Sequence, residues 1–200
     1  IRKNQRTAIK YSMIGKLIVI SAPSGAGKTS IVRNLLKEIP NLSFSISACS
    51  RSPRKNEKEA VDYYFLDIAD FKNKINKNLF LEWEEVYENQ YYGTLKSELN
   101  RIWESEKTVV FDVDVEGGLN IKNQYPENCL SIFIMPPSIK SLEDRLLNRG
   151  TESKESLQKR LAKASEEMNR SHEFDQLIVN DNFTTACIEA KELVNNFILS

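Results

Sequence analysis

The sequence is poor in the residues that mark secreted, metal-binding or membrane proteins. It has three cysteines, Cys49, Cys129 and Cys187, and they lie far apart without the paired spacing typical of zinc sites or disulfide frameworks. Its longest apolar runs, such as Leu17 to Ile20, are far shorter than the roughly 20 residues that cross a bilayer. A protein of the reducing cytoplasm without a membrane span is therefore expected.

Net charge is also lacking, because 28 basic residues balance 28 acidic ones in a chain of 200 residues. No overall field attracts nucleic acid or anionic lipid, so neither is expected as a partner. Any phosphate binding must come from a local arrangement. The one histidine, His172, is interpreted as a surface or packing residue. The oligomeric state stays open between a monomer and a small homo-oligomer.

Short apolar runs alternate with helical patterns over most of the chain. A buried type of strand at 16–21 precedes a glycine-rich turn and a helix that runs from Thr29 until Pro40 ends the pattern. Further strands are predicted at 108–113, 130–135 and 176–179, and further helices at 116–123, 139–148, 153–170 and 183–197. This alternation predicts an α/β fold in which helices flank a parallel sheet.

Residues 43–93 interrupt this alternation. Segments rich in β-formers at 43–48, 62–66 and 79–86 surround one short helix, which Asp67 is expected to cap. We interpret this region as a β-rich lobe inserted into a single domain, 15–200, whose core comprises 15–42 and 94–200. Residues 1–14 are interpreted as an N-terminal extension, for which disorder is one interpretation.

The segment APSGAGKT lies between the first predicted strand and the first helix. Small residues let backbone N–H groups converge on phosphate oxygens, a lysine can bridge the β- and γ-phosphates, and a hydroxyl can bind magnesium. The segment therefore predicts an ATP phosphate loop made of Ala22, Pro23, Ser24, Gly25, Ala26, Gly27, Lys28, Thr29 and Ser30. Ala22 replaces the usual first glycine, which is tolerated if its φ is negative. A turn that merely joins the two elements is the alternative.

Two aspartates, Asp112 and Asp114, end the predicted strand VVFDVD. An acid at the carboxyl end of a parallel strand faces the nucleotide crevice and can hold Mg²⁺, directly or through water. Each could instead cap the following helix. We assign Asp112, with Thr29, to the metal and Asp114 to the nucleotide, and the sequence leaves open which aspartate lies nearer the metal.

From about Gly15 to its end, the chain resembles the guanylate kinases, a family of nucleoside-monophosphate kinases with a phosphate loop. Four segments carry the resemblance in order: SISACSRSPRKNEKEAVDYYF, LEWEEVYENQYYGT, RLLNRGTES and VND. It implies ATP-dependent phosphorylation of GMP, and of dGMP, to GDP with Mg²⁺ by in-line transfer. It also implies a GMP site made of Ser47, Arg51, Arg54, Tyr63, Glu82, Tyr92, Gly93, Thr94 and Asp114.

Chemistry supports the roles that the resemblance implies within this GMP site. Arg51, Arg54, Tyr63 and Tyr92 match the residues that bind the GMP phosphate, and guanidinium groups fit phosphate oxygens bidentately. Glu82, with hydroxyls at Ser47 and Thr94 alongside, matches the guanine-reading carboxylate. Guanine offers N1–H and an amino group as adjacent donors, whereas the unprotonated N1 of adenine would repel a carboxylate.

The segment LEDRLLNRGTESKESLQKRL follows a predicted strand and contains Arg145, Arg149 and Arg160. The resemblance implies a helical lid at about 149–165 that closes over ATP. It assigns these arginines, with Lys28, to the transferring phosphoryl group, where cations account for much of the catalysis. A charged, solvated helix pair is the alternative.

Three positions depart from the pattern of the family. Asn56 and Ala60 stand where glycines are usual, and Glu116 stands where glutamine is common. These departures concern the geometry of the loops.

Two other functions remain open on the sequence. A kinase that phosphorylates another small acceptor would share the loop and the lid, but it would not need Glu82 with Thr94. A non-catalytic module that binds protein partners is the second alternative, and the intact GAGKT segment argues against it.

Overall fold

The computed structural model describes residues 15–148 and 154–200. The predicted extension 1–14, the first part of the predicted lid and Arg149 lie outside the described residues. The elements in chain order are β1 (Leu17–Ser21), α1 (Lys28–Glu38), β2 (Leu42–Phe44), β3 (Ala48–Cys49), β4 (Tyr64–Phe65), α2 (Ile68–Asn76), β5 (Phe80–Tyr87), β6 (Gln90–Leu95), α3 (Lys96–Trp103), β7 (Thr108–Asp112), α4 (Val115–Gln124), β8 (Cys129–Met135), α5 (Ile139–Leu147), α6 (Lys154–Asn169), β9 (Gln176–Val179) and α7 (Phe183–Leu199).

A five-stranded parallel sheet in the order β2-β7-β1-β8-β9 forms the core. Strand β1 lies at its centre and is buried on both faces, as its unbroken apolar run requires. Successive residues of β1 point to opposite faces, so Ile18 and Ile20 pack in one hydrophobic cluster and Leu17 and Val19 in another. The predicted α/β fold with a flanked parallel sheet is therefore confirmed.

A second sheet, in the order β4-β3-β6-β5, occupies the region predicted as the inserted lobe. Strands β5 and β6 form an antiparallel hairpin, and β3 pairs with β6 and β4. Asp67 caps α2 by accepting a hydrogen bond from the Asp70 N–H, as predicted. The stacked rings of Phe71, Phe80 and Tyr91 fill the space between this helix and the sheet.

The segment 43–48, which the sequence marked as rich in β-formers, contributes to two strands that lie in different sheets. Strand β2 pairs with β7 in the core sheet, whereas β3 belongs to the lobe sheet. Between them the Ile46 N–H donates to the buried carboxylate of Glu98, which supports the chain where it leaves the core. The lobe sheet therefore begins later than the predicted boundary at 43.

The predicted helices of the core match α1, α4, α5, α6 and α7 to within two residues at the ends that the structure describes. Helix α3 and strand β6 had no predicted counterpart. None of the described helices is long and apolar enough to cross a bilayer. The helices thus serve to cover the core sheet and to border the cleft described next.

Candidate active site

A cleft of about 770 Å³ opens where β1 and β7 end. Its walls come from the predicted phosphate loop, the end of β7, the lobe and helix α6. A volume of this size is typical of small-molecule sites, and the carboxyl ends of parallel strands are their usual location.

The predicted phosphate loop joins β1 to α1 and needs both of its glycines. Gly25 and Gly27 adopt left-handed backbone conformations with φ of 95° and 98°. A Cβ on Gly27 would lie 2.3 Å from the Asn180 side-chain nitrogen, so a larger residue does not fit. Ala22 is not among the residues with positive φ, which explains why alanine is tolerated there. Ala26 is fully buried beneath the loop and does not line the cleft.

Asp112 holds the two polar side chains that begin α1. The Lys28 ammonium lies 2.7 Å from one oxygen of Asp112 and donates to the Val113 carbonyl at 2.7 Å. The Thr29 hydroxyl donates to the other Asp112 oxygen at 2.7 Å. A carboxylate next to a hydroxyl is the kind of oxygen donor set that Mg²⁺ accepts, so these residues fit the predicted metal.

Asp114 also lines the cleft, but its carboxylate caps α4 by accepting the Gly117 N–H at 2.8 Å. The capping alternative therefore applies to Asp114. Burial opposes its ionisation, yet a hydrogen bond from Glu84 and the bond from Gly117 outweigh burial and hold the pKa of Asp114 below its usual value. The same contact with Asp114 raises the pKa of Glu84, which had no predicted role.

Arg51, Tyr63 and Tyr92 form a cluster in the lobe. The Arg51 Nε donates to the Tyr92 hydroxyl at 3.0 Å, and its guanidinium carbon lies 5.1 Å from the centre of the Tyr63 ring. The Tyr63 and Tyr92 rings meet edge to face. Tyr63 and Ser47 line the cleft. Arg51 and Tyr92 are not among the residues that line it, and neither is Arg54, whose side chain is exposed.

Glu82 and Thr94 face each other across the β5–β6 hairpin. The Glu82 carboxylate is half-buried and lies over the first turn of α4, since a Cβ added to Gly117 would be 3.1 Å from one of its oxygens. Burial, with a smaller contribution from the nearby Asp114 carboxylate, raises the pKa of Glu82 to about 7. The Thr94 hydroxyl is buried opposite Glu82, and interaction with Thr94 partly offsets this rise in the pKa of Glu82.

Gly93 allows the two strands of the hairpin to approach at this point. A Cβ on Gly93 would lie 2.6 Å from the Glu82 carbonyl oxygen, so a larger side chain would push β5 away. Glycine at this position thus keeps Glu82 and Thr94 together.

Of the predicted lid arginines, Arg160 on α6 lines the cleft. Arg145 on α5 lies behind the phosphate loop, where it donates to the Asn180 carbonyl at 2.8 Å and to the Ala26 carbonyl at 3.4 Å. The Asn180 side chain donates to the same Ala26 carbonyl at 2.7 Å. The end of β9 and helix α5 thus hold the loop from behind.

Lys163 and Glu167 on α6 also line the cleft, although neither was predicted from the sequence. With Arg160 they follow the three- and four-residue spacing of one helix face, so their periodicity could have indicated them. Asn180 lies in the VND segment that carries the resemblance, but it was assigned no role, because its contact with Ala26 joins residues far apart in the sequence.

Comparison with known proteins supports the resemblance seen in the sequence. The guanylate kinase family model matches residues 14–197. A guanylate kinase of Bacteroides thetaiotaomicron is 50% identical over 93% of this chain and 91% of its own length, and one of Porphyromonas gingivalis is 48% identical over 92% and 98%.

The same relationship holds for a solved structure. The crystal structure of guanylate kinase from Anaplasma phagocytophilum aligns with a TM-score of 0.74 and 26% identity, over 94% of this chain and 88% of that one. The match in sequence and the match in fold both span nearly the whole chain, and the chain belongs to the guanylate kinase family.

Proposed function

We propose that this chain transfers the terminal phosphoryl group of ATP to GMP. The observation that carries the proposal is that the phosphate loop and the lobe residues Ser47 and Tyr63 line one cleft. A donor bound at the loop and an acceptor bound at the lobe would meet there, and holding two reactants together removes much of the barrier to a bimolecular step.

On the donor side, Lys28 and the N-terminal end of α1 would hold the ATP phosphates. Thr29 and Asp112 would hold Mg²⁺, which when bound neutralises charge on those phosphates. Lys28 must then turn from Asp112 and the Val113 carbonyl toward the nucleotide. Asn180 and Arg145 keep the loop in place meanwhile, because both bond to the Ala26 carbonyl.

On the acceptor side, Arg51, Arg54, Tyr63 and Tyr92 would bind the GMP phosphate. Arg51 contacts both tyrosines. The attacking oxygen belongs to a phosphate that is largely ionised near neutral pH, so no general base is required.

The base would be read by Glu82, with Ser47 and Thr94 beside it. The Thr94 hydroxyl lies opposite Glu82 and is buried beside it, so both would face the same part of the base. Asp114 caps α4 beside this position and would line the nucleotide. Because the assigned residues address the base and the phosphate, we extend the proposal to dGMP.

The lid would complete the site with Arg149 and Arg160, while Arg145 acts from behind the loop. An arginine beside the transferring group can contribute about 10³ to 10⁵ in rate. Closure over the cleft would exclude water and so prevent wasteful hydrolysis of ATP. The three cysteines are unpaired and buried, which agrees with activity in the cytoplasm.

A coupled assay with ATP, Mg²⁺ and each nucleoside monophosphate tests the proposal. We expect turnover with GMP and a preference over AMP of about 10⁴-fold, because a buried acceptor would be left unpaired by adenine. Glu82→Gln should reduce that preference, and an unchanged preference would remove Glu82 from base recognition.

Lys28→Ala should abolish transfer, whereas Lys37→Ala, at the exposed end of the same helix, should not. Near-normal turnover by Lys28→Ala would refute the assignment of the loop.

A further inference from the structure

Glu57 has no role in the site as assigned so far, yet it contacts both arginines of the proposed acceptor-phosphate site. Its two carboxylate oxygens accept hydrogen bonds from Arg51 Nη1 at 2.6 Å and Arg51 Nη2 at 2.7 Å. One of them also accepts the backbone N–H of Arg54 at 2.8 Å. A single carboxylate thus links the side chain of Arg51 to the backbone of Arg54.

The way in which Glu57 holds Arg51 leaves one edge of the guanidinium for a ligand. An arginine can present its end edge, formed by Nη1 and Nη2, or its side edge, formed by Nε and Nη2. Glu57 occupies the end edge, and the Ser52 carbonyl takes the other hydrogen of Nη1. The side edge faces the Tyr92 hydroxyl, which Nε contacts at 3.0 Å. Within the described part of the chain, no acceptor is bonded to the second hydrogen of Nη2.

The remaining contacts make this orientation well defined. The guanidinium lies over the rings of Tyr63 and Phe65, and only 13% of the Arg51 side chain and 17% of the Glu57 side chain is exposed. The Arg51 contact, with the Arg54 N–H, also lowers the pKa of Glu57 to about 2, so the carboxylate stays charged at neutral pH. A planar, bidentate pair of this kind fixes the orientation of the Arg51 guanidinium group as well as its position.

We propose that Glu57 is a positioning residue that keeps the side edge of Arg51 turned toward the Tyr92 hydroxyl, where the phosphate of the acceptor binds. This inference rests on the proposed function, since it takes GMP as the acceptor. Glu57 stays bonded to Arg51 when the nucleotide is bound. It acts through Arg51 and does not touch the ligand.

The test compares Glu57→Gln with a matched control, Glu59→Gln, in the full-length protein. Glu59 lies two residues further along the same loop and accepts the Phe65 N–H, and within residues 15–148 and 154–200 it makes no hydrogen bond to either arginine. The affinities of GMP and of guanosine are measured by calorimetry, together with kcat and the KM values for GMP and ATP. We expect Glu57→Gln to weaken GMP binding by about tenfold, the usual size for a charged hydrogen bond.

The pattern of losses separates positioning from general damage to the fold. Guanosine affinity and the KM for ATP should stay unchanged in Glu57→Gln, and Glu59→Gln should bind GMP like the unaltered protein. In a double-mutant cycle with Arg51→Lys, Glu57→Gln should no longer weaken GMP binding, because lysine has no planar guanidinium group to orient. Glu57→Asp, which keeps the charge, should recover part of the GMP affinity.

Three results would overturn the inference. Unchanged GMP affinity would mean that Arg51 needs no orientation, and tighter GMP binding would mean that Glu57 competes with the phosphate for Arg51. An equal loss of GMP and guanosine affinity would indicate a general structural role. If the unaltered protein does not phosphorylate GMP, the proposed function fails instead, and that result is visible before any variant is made.

Discussion

Replacing Glu82 by glutamine is expected to stabilise the ligand-free protein at pH 8 but hardly at all at pH 5. The carboxyl has an ordinary pKa near 4.5, and burial beside Asp114 raises its pKa to about 7. A tenfold change in the proton affinity of a group corresponds to about 1.4 kcal/mol, so the ionised carboxylate costs the fold about 3 kcal/mol.

The direction of the pH dependence follows from which state binds the proton more tightly. Below pH 4.5 the carboxyl is protonated in both the folded and the unfolded protein, and its burial carries no ionic penalty. Between pH 4.5 and 7 the unfolded chain has released this proton while the folded protein still holds it, so stability falls over that interval and levels off once the folded carboxyl has ionised. Glutamine has nearly the same shape and stays neutral, so Glu82→Gln avoids this loss. Burying a polar amide costs about 1 kcal/mol, which leaves a gain of about 2 kcal/mol.

Urea denaturation at pH 5 and pH 8 measures this difference directly. Glu88→Gln is the matched control, because Glu88 is an exposed carboxylate at the turn of the same hairpin and should give no pH-dependent change. A Glu82→Gln protein that gained the same stability at both pH values, or lost stability at pH 8, would refute the reasoning. The carboxylate would then be well solvated or paired in the fold.

Two further predictions concern stability. Ala60 adopts φ of 58°, a left-handed conformation that strains alanine but not glycine. Ala60→Gly should therefore raise the free energy of unfolding by about 0.5 to 1 kcal/mol, because the strain that it relieves exceeds the chain entropy that glycine adds to the unfolded state. A loss of stability in urea denaturation would contradict this. Glu98 is buried and accepts bonds from Ile46, Tyr64 and Arg101, so Glu98→Gln should cost about 2 to 4 kcal/mol in the same assay. A cost below about 0.5 kcal/mol would mean that this contact does not support the lobe.

The core of the fold was predictable because its signals are local. The continuous apolar run of β1, the glycines after it and the periodic helix from Thr29 are adjacent in the sequence, and each restricts the backbone through its own chemistry. The phosphate loop follows from the same few residues. Whether alanine is tolerated at position 22 depends on the φ of that residue, and the structure shows that this φ is not positive.

The lobe was less predictable because its strands are short and its packing is not local. Strand β6 contains Gly93, which weakens a strand pattern, and the strand is formed only by pairing with β5 and β3. The segment 43–48 could not be divided from the sequence, because the break depends on the contact of Ile46 with Glu98, about fifty residues later.

The same limit applies to the candidate site. The resemblance implied that Arg51 and Arg145 bind phosphate groups, but the sequence did not indicate what holds their side chains. Arg51 is held by Glu57, and Arg145 by carbonyl groups of the loop and of Asn180. The Arg145 contacts depend on how separate segments pack, and the Arg51 contact depends on the exact path of one irregular loop, neither of which periodic sequence patterns record.

The two cations at the centre of the proposed reaction are both paired with carboxylates in the ligand-free protein, but the two pairs have different consequences. Lys28 offers a point charge that Asp112 and the Val113 carbonyl already engage, so ATP must exchange those partners for phosphate oxygens. Arg51 offers a guanidinium whose end edge Glu57 uses, so a phosphate that binds the side edge leaves the Glu57 pair intact and exchanges only the bond from Nε to the Tyr92 hydroxyl. Reorganisation on phosphate binding is therefore expected to be larger on the donor side, where Lys28 exchanges a carboxylate and a carbonyl, than on the acceptor side, where Arg51 exchanges one neutral hydroxyl.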